Sequence, residues 1–165
     1  MSLLILLPFI VQMFVITFDE FYFHVRRGLP KWERLGHPLD TLTVLICFLF
    51  VLFVPYSALA LKIYIGVAIF SCVFVTKDEF VHKECCPASE QWLHALLFIN
   101  HPIVLTAAGI LWTVINGAAP ELFSDLRAYA EPLRTFLCIQ AASAALFLIY
   151  QTIYWNVIWK DKVPE

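Results

Sequence analysis

Charge is what this chain lacks. Only 15% of its 165 residues are Asp, Glu, Lys or Arg, while 61% are hydrophobic. Water-soluble domains carry about a quarter charged and about half apolar residues. A soluble fold this short could not hide so much apolar surface, because small domains leave much of theirs in water. The shortage argues against a soluble domain and calls for a bilayer as solvent. Basic charge is equally scarce. The net charge is −2, so no basic field points to nucleic acid. A disulfide framework is missing as well. Cys47, Cys72 and Cys138 sit in apolar runs, where a thiol acts as a small hydrophobe, and the neighbours Cys85 and Cys86 rarely pair with each other. The N-terminus has no positive n-region and no small-residue cleavage site, so it reads as a retained helix, not a signal peptide.

Several chemistries lose their motifs in the same way. There is no Gly-rich phosphate loop, no Gly-x-Ser-x-Gly elbow and no His-Glu-x-x-His zinc motif. The His-x-x-His-His boxes of membrane desaturases are absent. Facing histidines can hold a haem, but haem does not call for a carboxylate one turn from each of them.

What remains is apolar runs. About 20 residues cross a hydrocarbon core as a helix, and five stretches qualify. They run from about Leu3 to Phe18 (helix-compatible to Arg27), Leu39 to Val54, Ala58 to Thr76 (continuing to about Glu84), Glu90 to Ile115, and Leu133 to Trp159. Pro8 and Pro102 each remove a backbone donor and kink their helices. The expected fold is an all-α integral membrane protein, one domain over residues 1–165. Arg26, Arg27, Lys31, Arg34, Lys77, Lys83, Lys160 and Lys162 fall on one side, against Lys62, Arg127 and Arg134 on the other. That bias puts the N-terminus outside and the C-terminus in the cytoplasm, in a plasma or inner membrane. Trp32, Trp92, Trp155 and Trp159 form an aromatic belt at the cytoplasmic boundary. The one sizeable outer loop, Asn116 to Pro132, can hold a short amphipathic helix around Glu121 to Tyr129.

The chain also echoes itself. FDEFYFHVRRGLPKWERLGH in the first half is answered by KDEFVHKECCPASEQWLH in the second. Each gives Asp-Glu-Phe, a His, a loop with Pro, then a Glu and a His four residues on. Each echo spans the end of one helix and the start of the next. Membrane proteins are often built from such repeats, here about 3–54 and 58–115, with the fifth helix, about 133–159, outside them.

Four of the five histidines have a carboxylate four residues before them: Glu20–His24, Glu33–His37, Asp78–His82 and Glu90–His94. Thirteen acids in 165 positions predict about 0.4 such pairs by chance. Residues i and i+4 share a helix face, so each pair offers an oxygen and a nitrogen ligand in one direction, from a different helix. Glu33 and Glu90 alone would be explained by helix N-termini, which favour acids. Glu20 and Asp78, at the opposite ends of their helices, are not. Ionisable groups in a membrane bundle are costly and point to function, and a metal neutralises such carboxylates. Asp40, three residues after His37, and His101, seven after His94, extend the faces, and Glu79 competes with Asp78 as Asp19 does with Glu20.

Di-metal carboxylate bundles use Glu from two helices and Glu-x-x-His from two more. The spacing here is one residue longer and richer in histidine, so the similarity is one of principle. Mixed His and carboxylate ligands suit iron, zinc or manganese, whereas calcium and magnesium prefer oxygen alone. Four carboxylates and four imidazoles exceed the needs of one ion. The reading is a site for two metal ions, iron favoured, in a membrane-bound oxidoreductase acting on a lipid-like or other apolar substrate, fed by an electron donor the sequence does not identify. Tyr154 or His101 would relay protons. Gln151, Tyr154 and Asn156 read as interhelical hydrogen-bond partners at the level of the site. A zinc-dependent membrane hydrolase and a non-catalytic metal transporter or sensor are the alternatives, though the outer halves of helices two to four offer a transport path little beyond Lys62.

Overall fold

The computed structural model describes residues 2–78 and 86–159. Among these residues every regular element is helical. Five helices are long and apolar enough to cross a membrane: α1 (Leu4–Arg27), α2 (Lys31–Phe53), α3 (Ala58–Lys77), α4 (Ala88–Ile115) and α5, whose α-helical part is Ala130–Ile153. A 3₁₀ segment, Glu121–Tyr129, leads into α5, and a π-helical turn, Tyr154–Ile158, ends it. Large apolar side chains such as Phe14, Ile69, Phe70, Leu146 and Ile149 stand exposed on the outer faces. Soluble monomers rarely tolerate so continuous an apolar surface. This is the build of an integral membrane protein.

Successive crossings bring the end of α1, the start of α2, the start of α4 and the end of α5 to one end of the bundle. The broadest helix contact is α2 against α5; α1 leans on α4, and α3 packs on α2 and α4. The tight core lies in the opposite half. Buried Trp112 sits among the rings of Phe50, Tyr56 and Tyr64, with centroids 5.1–5.7 Å away. Its Nε1 donates to Val54 O at 2.8 Å. Tyr64 Oη donates to Leu105 O at 2.6 Å. Gly109 makes that approach possible, since a Cβ there would lie 2.9 Å from the Tyr64 ring.

The helix α2 starts at Lys31, where hydropathy alone suggests about Leu39. Lys31 to His37 is too polar for hydrocarbon, but a helix can project beyond it. Pro38, inside this helix, has no N–H, so Arg34 O loses its usual donor. Asn156 Nδ2 of α5 donates to that carbonyl at 3.1 Å, which lets the helix run on through the proline. The projecting turn is what carries Glu33 and His37 to the site.

Candidate metal centre

The helix α1 changes character where its acids lie. From Asp19 to His24 it is π-helical, with the Val25 N–H reaching Glu20 O five residues back. Such turns are frequent at functional sites. In an α-helix, residues five apart point roughly 140° away from each other. The wider π-turn narrows that angle enough for Asp19, five residues back, to meet His24 alongside Glu20, four residues back. Asp19 Oδ2 lies 3.2 Å from His24 Nε2, and Glu20 Oε2 lies 3.2 Å from His24 Nδ1.

The first two turns of α4 complete the group. Glu90 Oε1 stands 3.5 Å from His24 Nε2, and His94 Nε2 stands 3.0 Å from Asp19 Oδ2. One ligand atom from each of Asp19, His24, Glu90 and His94 lies within 4.8 Å of the other three, and all four residues are buried. Ligands about 2.1 Å from one ion sit roughly 3–4 Å from each other, so small side-chain adjustments would close this set on a metal. His24, Glu33 and His37 form a second such group, with the His24 and His37 ring centroids 4.8 Å apart. The groups share His24. Asp19 Oδ1 and His24 Nε2 are buried without a hydrogen bond, as ligand atoms aimed at an ion would be.

Electrostatics point the same way. Asp19, Glu20, Glu33 and Glu90 are 5%, 1%, 0% and 0% exposed. Among the described residues, Arg27 is the permanent cation within the cluster. Its Nη2 donates to Glu33 Oε2 at 2.7 Å and to Glu90 Oε1 at 2.8 Å, its Nε to Glu90 Oε1 at 3.1 Å, and its Nη1 to Gly28 O at 3.1 Å. With neutral imidazoles, four carboxylates against one guanidinium leave three uncompensated negative charges. Buried charge of that kind costs several kcal/mol per ion. Protons on the histidines or a bound cation would offset it.

The end of α5 holds the other side of Glu20. Tyr150 Oη donates to Glu20 Oε1 at 3.0 Å, and the buried Trp155 Nε1 donates to the same oxygen at 2.7 Å. Trp155 is aimed by the closing π-turn, whose Trp159 N–H reaches Tyr154 O at 2.7 Å. Trp159 in turn covers Gly28, where φ is +77° and a Cβ would meet its ring at 2.9 Å. Gly28 thus allows both the turn after Arg27 and the close approach of α5.

The structure gives different placements to the residues singled out in the sequence. His24, Glu33, His37, Glu90 and His94 come together. Glu20 sits behind His24 and Asp19 faces the group. Asp40 Oδ1 accepts from Lys77 Nζ at 2.6 Å, outside both groups. His101 also lies outside them, about two turns deeper than His94, with Nε2 3.0 Å from Ser71 Oγ. Ser71 is linked in turn to Thr43, Oγ to Oγ1 at 2.7 Å. Tyr154 stacks on Tyr150 at 5.3 Å, and Gln151 Oε1 accepts from Thr41 at 2.7 Å. Glu79 and His82, and the side chain of Asp78, lie outside the described residues. Cys86 is a poor ligand as it stands, because burial pushes its thiol up to about 12 and the thiolate is the metal-binding form. Sequence reasoning missed Arg27, which entered only the basic bias that sets orientation, and the pair Tyr150 and Trp155. A signal for Arg27 existed: it follows His24 by three residues and so shares its face.

A cavity of about 370 Å³ opens directly from the cluster and runs among α1, α2, α4 and α5. Asp19, His24, His37 and His94 line its near end, and Phe9, Phe48 and Val104 its far end. No family model, curated protein or solved structure matches this chain. The functional reading therefore rests on the geometry.

Proposed function

We propose that this chain is a membrane-bound di-metal oxidoreductase, with iron as the metal and an apolar, lipid-like compound as substrate. The observation that carries the reading is the convergence of Asp19, His24, Glu90 and His94, buried and within 4.8 Å of one another, at the mouth of an apolar cavity. The first ion would lie among these four. The second would lie toward Glu33 and His37, with Asp78, Glu79 and His82 as the further donors the sequence offers. Mixed oxygen and nitrogen donors suit iron, manganese or zinc. An oxidoreductase is favoured because the donor set adjoins a chamber suited to an unreactive apolar substrate. One oxygen atom of dioxygen would enter a C–H bond, the other leaving as water with protons and electrons from an external donor. In this reading the two hairpins α1–α2 and α3–α4 are pseudo-repeats, and the site lies on the cytoplasmic side. That orientation rests on the Lys and Arg bias.

The test is elemental mass spectrometry of detergent-purified protein, with protein counted by amino-acid analysis. About two irons per chain are expected, as in other di-iron bundles. Asp19→Asn and His94→Ala should each lower the metal content, while His101→Ala should leave it unchanged. No bound metal after anaerobic reconstitution with ferrous iron, or full occupancy in both ligand variants, would overturn the reading. A redox-silent zinc centre would favour the hydrolase.

A further inference from the structure

The cavity beside the cluster has a shape that selects among apolar substrates. Along α1 it extends from Asp19 to Phe9, and along α4 from His94 to Val104, about 15 Å at 1.5 Å per residue. A volume of about 370 Å³ over that length leaves a mean section of about 25 Å². Hydrocarbon packs at carbon–carbon separations of about 4 Å, so this long, narrow shape suits an extended chain.

The cavity also has a side entrance. Two contacts between α1 and α5 bracket a gap beside the cavity. Phe9 meets Phe136 edge-on at 5.3 Å in the half of the bundle away from the cluster, and Phe21 and Glu20 meet Tyr150 near the cluster. Between these contacts, Met13 and Thr17 of α1 face Ser143 and Phe147 of α5 across the cavity. Met13 lines the cavity and is also 48% exposed, so the gap between these two contacts is the place where the cavity reaches the outer surface. Arg27 lies about two turns beyond the near end along α1, with Lys31 and Arg34 at the start of α2, the basic residues that the Lys and Arg bias assigns to the headgroup level.

We infer that the cavity takes one hydrocarbon chain of a bilayer lipid, entering sideways between α1 and α5, with its terminal methyl toward Phe9, Phe48 and Val104. The carbons nearest the headgroup then pass Asp19 and His94. Chain binding stands on the cavity alone; that these head-proximal carbons are the ones that react rests on the metal-centre reading. Apolar walls accept the chain but gain little over the surrounding lipid, which is as apolar as they are. Selection in the membrane therefore comes from shape and from the few polar groups along the wall, Gln12, Gln140 and His101 among them.

The experiment uses full-length protein in phosphatidylcholine nanodiscs doped with a lipid bearing a diazirine either beside its ester or at its chain end. After irradiation, crosslinked residues are mapped by peptide mass spectrometry. The ester-side probe should label residues 17–20 and 94–98, and the chain-end probe Phe9, Phe48 and Val104. Met13→Trp and, as a second variant, Ser143→Trp should lose the internal labels while keeping those on outward-facing Ile69 and Phe70 of α3. Reversed depth order, labelling confined to outward faces, or internal labelling by a free diazirine fatty acid and not by the lipid would each overturn the inference. Metal content is measured on the same samples. Correct labelling without metal supports the chain site and sinks the metal centre; metal without internal labelling does the opposite.

Discussion

Replacing Glu20 with Gln should weaken metal binding while leaving the fold almost untouched. Glu20 Oε1 accepts from Trp155 Nε1 at 2.7 Å and Tyr150 Oη at 3.0 Å, and Oε2 meets His24 Nδ1 at 3.2 Å. A carboxylate can only accept. When His24 is neutral, its Nδ1 therefore carries the proton, and Nε2 presents a lone pair toward Asp19 and Glu90. A glutamine keeps its oxygen on the Trp155 and Tyr150 side, because the reverse orientation would set donor against donor. Its NH₂ then faces His24 Nδ1 and requires a lone pair there. The proton moves to Nε2, the nitrogen that must bind the ion. Groups that fix a ligand's tautomer typically affect metal affinity 10–100-fold, about 1.4–2.8 kcal/mol. Hydrogen bonds are conserved in number, so thermal stability of the metal-free protein should change little. Affinity is read by competition with a chromophoric chelator, stability by melting in the same detergent. An unchanged affinity in Glu20→Gln would refute the orienting role. A matching loss of metal-free stability would show that Glu20 acts on the fold instead.

Three further outcomes follow from the same geometry. Arg27→Met removes the guanidinium that joins Glu33 and Glu90; since Arg27 is 21% exposed, the cost should sit at the low end for broken buried pairs, about 3 kcal/mol, and added metal should restore much of the melting temperature. Gly28→Ala places a Cβ at φ +77°, 2.9 Å from the Trp159 ring; it should cost at least about 1–3 kcal/mol and shift Trp159 fluorescence, with a wild-type melt refuting the packing. Asn156→Ala leaves Arg34 O without its side-chain donor, a loss of about 1 kcal/mol. The same change should cost almost nothing in a Pro38→Ala background, where the helix supplies its own N–H, so the double-mutant cycle should be strongly non-additive.

Much of this was legible in order along the chain. Helical membrane crossings follow from apolar runs of about 20 residues, because a bilayer leaves the backbone no other way to pair its polar groups. The Glu33–His37 and Glu90–His94 pairs were readable for a similar reason, since both lie on regular α-helix, where the spacing of four fixes a common face. At His24 the rule gave only part of the answer: Glu20 meets it as a spacing of four says, but Asp19, five residues away, meets it too. There the backbone is a π-turn, and no periodicity in Asp-Glu-Phe-Tyr-Phe-His announces a change from 3.6 residues per turn. The early start of α2 was hidden by the polarity of Lys31 to His37, and the helix runs on through Pro38 with help from Asn156, 118 positions away.

Helices long and apolar enough to cross a membrane, and the stock of candidate ligands, could be read from the sequence, because hydropathy and helical spacing act over one or two turns. Tertiary structure alone decided that Asp19 joins His94 and Glu90 while Glu20 turns to Tyr150 and Trp155, that Arg27 bridges Glu33 and Glu90, and that His101 sits apart with Ser71. Those choices depend on where α1, α2, α4 and α5 cross. They also depend on two π-turns that aim side chains across the gaps, and no local pattern in the chain encodes a crossing.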